Sequence, residues 1–227
     1  MAPLMSRSRP EPQRPAPRLY LLVPATGDAE EIARLTDAVG RAGGEVDIAA
    51  VLLRADPSPA ADANGDVLSE RLRPLVAACH AIDAACLIEG NTALAGALEA
   101  DGAHLDGLAA LRAALPVLRP HGIAGMGGIR SKHDAMSAGE AGADYVMFGE
   151  PDLSGRRPAF DTTLERTDWW AQLFEPPCVA YAGTLEEVST LVAAGADFIA
   201  VDTLVLDDPV AGARAIAARL GGEMAAG

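Results

Sequence analysis

The chain has almost no lysine. Lys132 is the only one in 227 residues, and the other basic residues are arginine. Schiff-base chemistry needs a lysine amine, so only Lys132 could supply it. Aromatics make up 4% of the sequence, so Ala, Val, Leu and Ile must fill any core. Positive charge is also scarce: the formal net charge is −14 at pH 7. No basic stripe of the kind that neutralises nucleic-acid phosphates is present, so no nucleic-acid partner is expected. An acidic surface repels anions at long range. A phosphate ligand would therefore need backbone N–H groups and a few arginines close at hand. The three cysteines, Cys79, Cys86 and Cys178, form neither a CxxC pair nor a metal-ligand spacing. That usage suits a reducing cytosol, and a cytoplasmic location is expected. No apolar run approaches the roughly 18 residues of a membrane span, so no membrane partner is expected. Residues 1–17 are rich in Pro and Arg and carry no apolar segment. They read as a disordered tail rather than a signal peptide.

What is present is a regular alternation. Half the residues are hydrophobic, and the length suits one domain, expected over residues 18–227. Short apolar runs at 18–23, 46–53, 84–88, 102–105, 122–126, 144–148, 178–181 and 198–201 read as buried strands. Helical spacing follows each, over 28–39, 67–79, around Leu94 and Leu98, then 108–115, 131–141, 163–173, 185–193 and 209–220. Strands alternating with helices make a parallel sheet covered by helices, an α/β arrangement. Eight units in one domain favour a closed (β/α)8 TIM-type barrel over an open doubly wound sheet. The open sheet also lacks support because no GxGxxG follows the first strand. A small motif recurs between a helix and the next strand: Gly43-Gly44-Glu45-Val46-Asp47, Ala100-Asp101-Gly102-Ala103-His104, Gly142-Ala143-Asp144-Tyr145 and Gly195-Ala196-Asp197-Phe198. In the clearer two, glycine ends a helix in the left-handed conformation; Ala then allows close packing, and Asp caps the turn. These turns belong to the bottom of a barrel, so their aspartates receive no catalytic role.

Function in such barrels lies where strands enter helices. After the fifth strand stands Gly125-Met126-Gly127-Gly128-Ile129-Arg130-Ser131-Lys132-His133. Gly127 and Gly128 expose N–H groups, and Arg130 offers a planar fork to a phosphate. The competing reading is a turn with solvated basic side chains. The loop after the sixth strand carries Ser154, Arg156 and Arg157 and is long enough to act as a lid. After the seventh and eighth strands, Gly183 and Thr203 lie at the usual phosphate position of these barrels; the alternative is a tight turn with Thr184 as N-cap. Arg54, Asn91 and His104 sit at strand ends facing the same way, though His104 also suits a packed barrel interior. Glu89 and Asp106 form the best carboxylate pair for a hard cation such as Mg2+. Arg54, Arg130 and His104 are the candidate catalytic groups. Gly127, Gly128, Ser154, Arg156, Gly183, Thr203 and Asn91 are the candidate phosphate- or substrate-binding groups.

The segments Arg18-Leu19-Tyr20-Leu21-Leu22, Ala100-Asp101-Gly102-Ala103-His104-Leu105, Glu140-Ala141-Gly142-Ala143-Asp144-Tyr145-Val146-Met147-Phe148-Gly149 and Ala194-Gly195-Ala196-Asp197-Phe198-Ile199-Ala200-Val201 together resemble the thiamine phosphate synthase family, which includes the TenI-like tautomerases. The resemblance spans about residues 18–220. It implies a (β/α)8 barrel that joins hydroxymethylpyrimidine pyrophosphate to thiazole phosphate, with Mg2+ holding the departing pyrophosphate. It also implies a small phosphorylated metabolite as partner and a homodimer. Family motif positions are altered. Leu52, Arg54 and Asp56 stand at Gln-x-Arg-x-Lys, and Glu89-Gly90 at Asn-Asp. Ala109 stands at a second magnesium Asp, and Asp202-Thr203 at Val-Ser. The catalytic His of the tautomerases falls near Arg130. A divergent synthase is the first reading. A non-catalytic paralogue that binds a phosphorylated metabolite is the second, and another phosphate-dependent barrel enzyme the third.

Overall fold

The computed structural model describes residues 15–54, 65–152 and 154–221. Asp56 and most of the expected tail lie outside them. Eight parallel strands close in sequence order, β1-β2-β3-β4-β5-β6-β7-β8, so each strand pairs with its neighbours and β8 returns to β1. The strands are β1 (Arg18–Pro24), β2 (Ile48–Arg54), β3 (Ala85–Glu89), β4 (Gly102–Asp106), β5 (Ile123–Gly127), β6 (Tyr145–Phe148), β7 (Cys178–Tyr181) and β8 (Phe198–Val201). The helices are α1 (Ala29–Gly43), α2 (Gly65–Ala81), α3 (Thr92–Leu98), α4 (Leu108–Leu118), α5 (Lys132–Ala141), α6 (Phe160–Leu173), α7 (Leu185–Ala193), α8 (Thr203–Leu206) and α9 (Pro209–Leu220). This is the closed (β/α)8 barrel expected from the alternation, and the open sheet is excluded.

Several boundaries differ from the sequence expectation by a few residues, among them the ends of α1 and α4, which run on to Gly43 and Leu118, and the start of α6 at Phe160. The second strand begins at Ile48 rather than Val46, because the Val46 N–H turns back to the Ala42 carbonyl and extends the end of α1. The one-turn helix α8 lies directly after β8 and was not expected. Its four residues are too few to show a helical period.

Side chains divide by the strand period of two. One set packs outward between barrel and helices; it includes Leu19, Leu21, Val51, Leu53, Ile88, Val146 and Val201. The other fills the barrel, with Tyr20, Leu22, Leu52, Leu87, Tyr145, Met147, Val179, Tyr181 and Ala200. Gly125 makes room for this interior, since a Cβ there would collide with the Tyr145 ring.

The bottom turns use their aspartates as caps. Asp101, Asp144 and Asp197 accept the backbone N–H groups of Cys86, Ala124 and Cys178 at 2.7, 2.7 and 2.8 Å. Each carboxylate pins the start of the neighbouring strand. Gly142 and Gly195, at φ 96° and 87°, supply the left-handed helix ends that the motif predicts.

Candidate active site

The interior alternation decides which polar residues meet at the top. On β2 the interior set runs Ala50, Leu52 and then Arg54. On β3 it runs Leu87 and then Glu89. Leu53 lies opposite Ile88 in the ladder, so Arg54 and Glu89 are neighbours at the same level. Their side chains pair at 3.0–3.2 Å, with the guanidinium donating to both carboxylate oxygens. Glu89 lies opposite His104 on β4, and Asp106 opposite Gly127 on β5. The C-terminal strand ends therefore gather Arg54, Glu89, His104 and Asp106 into one ring sector.

These groups line a cavity of about 740 Å³. The strand β5 loop closes it with Gly128, Ile129 and Arg130, and the β6 loop with Glu150, Pro151, Asp152, Ser154, Arg156 and Pro158. The volume lies in the range of small-molecule sites. Arg166 of α6 steadies the β5 loop by donating to the carbonyls of Ile129 and Arg130 at 2.7 and 2.6 Å. That leaves the Arg130 side chain exposed at the mouth. In the β6 loop, Asp152 accepts from the Ser154 and Arg156 backbone N–H groups at 2.9 and 3.0 Å. The Ser154 hydroxyl, followed by the Arg156 backbone N–H, holds its carboxyl down at about 2.

The floor is a buried polar chain. The Tyr20 and Tyr145 hydroxyls meet at 2.7 Å, and the Tyr145 hydroxyl meets His104 Nδ1 at 2.8 Å. Burial, with a smaller contribution from the Arg54 charge, lowers the His104 pKa to about 3, so the ring is neutral. His104 is thus both a packed barrel residue and a cavity residue. Beside it lies Glu150, whose carboxyl accepts the Gly128 N–H at 2.6 Å. Burial raises the Glu150 pKa to about 7, against the opposing pull of the Gly128 N–H. Gly127 leaves the space for this meeting: a Cβ there would collide with both Glu150 Oε1 and His104 Nε2.

Not every expected binding residue joins the cavity. Asn91 caps α3, accepting the Leu94 N–H at 2.9 Å, and does not line the cavity. Gly128 lines it, but its N–H is already given to Glu150. Gly183 donates its N–H to Glu187 at 2.7 Å, and the same carboxylate pairs with Arg157 at 2.7 and 2.8 Å. Thr203 donates its N–H to Asp202 at 2.6 Å, and Asp202 also accepts the Tyr181 hydroxyl at 3.0 Å. The two N–H groups expected to meet a phosphate at the β7–β8 end therefore already have carboxylate partners.

Sequence reasoning missed Glu150, Tyr145 and Glu187. Glu150 follows Gly149 directly after an apolar strand, a position that opens onto the top face. Tyr145 opens an apolar strand run, so only its place in the interior alternation marks it. Glu187 is the third helical residue after the N-cap Thr184, which is a capping-box position.

The architecture is a closed parallel barrel with an arginine- and carboxylate-lined cavity at the C-terminal strand ends, the class of barrel that binds small polar ligands above its strands. Residues 19–205 match the family described as thiamine monophosphate synthase, and the chain belongs to that family. Thiamine-phosphate synthase from Rhodospirillum centenum is 37% identical over 203 residues, covering 88% of this chain and 94% of that one. The enzyme of the same name from Erythrobacter litoralis is 43% identical over 139 residues, 58% of this chain and 64% of that one. The solved thiamine phosphate pyrophosphorylase from Pyrococcus furiosus superposes with a TM-score of 0.70 at 20% identity, covering 92% of this chain and 97% of that one.

A magnesium ion is implied by this family. Among the described residues no group of three or more His, Cys, Asp or Glu could hold a metal ion. Magnesium sites often use only one or two carboxylates, with substrate phosphates supplying further oxygens. Glu89 and Asp106 line the same cavity and fit a site of that kind, with Glu89 partly neutralised by Arg54.

Proposed function

We propose that this protein joins hydroxymethylpyrimidine pyrophosphate to thiazole phosphate, giving thiamine phosphate and pyrophosphate. The observation that carries the reading is a cavity at the strand ends lined by Arg54, Arg130 and Arg156, in a chain of this family. The reaction breaks the bond between the pyrimidine methylene and the pyrophosphate oxygen. The thiazole nitrogen forms the new bond to that carbon. Little proton transfer is needed, so electrostatic placement is the main contribution the protein makes.

Arg54 sits deepest and holds the leaving group nearest the reacting carbon. Arg130 and Arg156, at the mouth, neutralise the outer phosphate oxygens. Glu89 and Asp106 would hold magnesium together with pyrophosphate oxygens. When bound, the ion would supply neutralising charge to the leaving group. His104, neutral and fixed by Tyr145, presents an uncharged ring to the substrate. Ser154 offers a hydroxyl beside Arg156. Gly127 shapes the floor by its missing side chain. The β6 loop residues 149–152, Ser154, Arg156 and Pro158 line the cavity and limit water there. The described helices include none long and apolar enough to cross a membrane. A cytoplasmic setting and a homodimer accord with the family.

One observation favours a second reading, a paralogue that binds a phosphorylated metabolite without turnover. The Gly183 and Thr203 N–H groups are held by Glu187 and Asp202, which leaves fewer donors for a second phosphate. The deciding experiment incubates purified protein with both substrates and Mg2+ and detects thiamine phosphate. Turnover supports the transferase. Thermal stabilisation by either substrate without turnover supports the paralogue.

A further inference from the structure

Glu150 has no part in holding phosphate. A carboxyl beside a pyrophosphate would repel it, yet this one is built into the cavity floor. One oxygen is fixed by the Gly128 N–H at 2.6 Å. Among the described residues no cation pairs with it; Arg54, the nearest opposing charge, is engaged by Glu89. The charged and titratable groups around it are Arg54, Asp106, His104 and the Tyr20 and Tyr145 hydroxyls. Its place between the neutral His104 and the β5 loop depends on the glycine at 127, which leaves room for no side chain. Glu150 lines the cavity and is only partly covered, and the Gly128 N–H occupies one of its oxygens. A carboxylate has further acceptor capacity, which suits it to a ligand group that brings donors.

The same cavity is also lined by the apolar Ile129, Pro151 and Ala110, which suit contact with a flat ring. An aminopyrimidine presents one edge on which an exocyclic NH2 donor stands next to a ring-nitrogen acceptor. A carboxyl group matches that edge at two points. One oxygen accepts from the NH2, and the protonated form also donates to the ring nitrogen. The burial that brings Glu150 to about 7 keeps both forms accessible near neutrality.

We propose that Glu150 reads the amino edge of the pyrimidine substrate and orients its methylene carbon toward the pyrophosphate-holding side of the cavity. The inference deepens the transferase reading and rests on it. Glu150 accepts from the amino group more strongly as the pyrophosphate leaves, because the amino lone pair then feeds the electron-poor methylene and its hydrogens become more acidic. Glu150 is thus a specificity residue that also contributes to the transition state.

The test is calorimetry on the full chain with three probes. They are 4-amino-5-hydroxymethyl-2-methylpyrimidine, its analogue lacking the amino group, and inorganic pyrophosphate with Mg2+. The wild type should prefer the amino compound by about tenfold or more, the scale of one well-placed hydrogen bond to a charged group. Glu150→Leu should lose that preference while binding pyrophosphate as the wild type does. Glu150→Gln keeps an acceptor and a donor and should retain the preference, and its melting temperature guards against a folding defect. A Glu150→Leu protein that still discriminates, or a wild type that never does, overturns the proposal. So would equal loss of preference in the Gln and Leu variants. A wild type that discriminates but binds no pyrophosphate and forms no product would instead defeat the transferase reading and leave the pyrimidine-edge assignment standing.

Discussion

The two halves of the top face use the same chemistry to opposite effect. On the β2–β6 side, polar side chains line an open cavity. Arg130 and Arg156 stand exposed at its mouth, and Arg54 reaches its interior. On the β7–β8 side, the chain's own carboxylates have taken the anion-binding groups. Glu187 accepts from Gly183 and Arg157, and Asp202 accepts from Thr203 and Tyr181. A carboxylate at a backbone N–H is a small model of a bound phosphate. Carboxylates hold donors on the β2–β6 side as well: Glu89 holds Arg54, Glu150 the Gly128 N–H and Asp152 the Arg156 side chain. The difference is that these groups line an open cavity, whereas Gly183 and Thr203 are not among its lining residues. Loop position in a barrel therefore does not by itself decide where a ligand enters; the space beside the donors does.

Substitutions can break this comparison, and the largest effect belongs to Arg54. Arg54→Ala removes the deepest cation and leaves Glu89 without its partner. Catalytic efficiency should fall by about a hundredfold or more, the scale of losing one preorganised charge donor. Steady-state kinetics on the variant checks this, and Arg157→Ala on the other half should cost much less. An equal loss from both would erase the distinction between the halves.

Next in size is the pH dependence set by Glu150. Its folded pKa of about 7 lies above the ordinary carboxylate value. The folded state therefore holds the proton over a range where the unfolded chain has released it. Stability should fall as pH rises from about 4.5 to 7, by up to about 3 kcal/mol. Urea unfolding at several pH values measures the slope, and Glu150→Gln should flatten it.

Glu187 works with the opposite sign. The Arg157 guanidinium, aided by the Gly183 N–H, holds its carboxyl below the usual range. Its contribution is present at neutral pH and is lost as acid protonates it through that lowered value. Glu187→Gln should cost about 1 kcal/mol at pH 7, with a difference from wild type that shrinks in acid.

The smallest functional effect should come from the bottom face. Asp144→Ala removes the cap on the Ala124 N–H and should cost about 1 kcal/mol of stability. Turnover should be unchanged, which separates a residue that holds the barrel from those that hold a ligand.

The barrel was legible in the sequence because strand–helix alternation is a repeated signal. Each Gly-Ala-Asp turn, such as Gly142-Ala143-Asp144, reinforces it locally. The cavity was half legible. Arg54, Glu89, His104 and Asp106 fall at strand ends, and the period of two sends their side chains inward. The β7–β8 end was misleading because Gly183 and Thr203 look open in the sequence. Their partners are nearby in the chain, but the Arg157 bridge to Glu187 joins residues 30 positions apart. Glu150 was hidden for a related reason. Its partner Gly128 lies 22 residues earlier, and nothing in the sequence alone joins the β5 and β6 loops.

The account turns on one reaction in the open half of the top face. The most direct measurement is formation of thiamine phosphate from hydroxymethylpyrimidine pyrophosphate and thiazole phosphate with Mg2+, by the wild type and by Arg54→Ala side by side. The account predicts clear product from the wild type and a collapse of the rate in the variant. No product from wild-type protein that remains folded and binds pyrophosphate would contradict it.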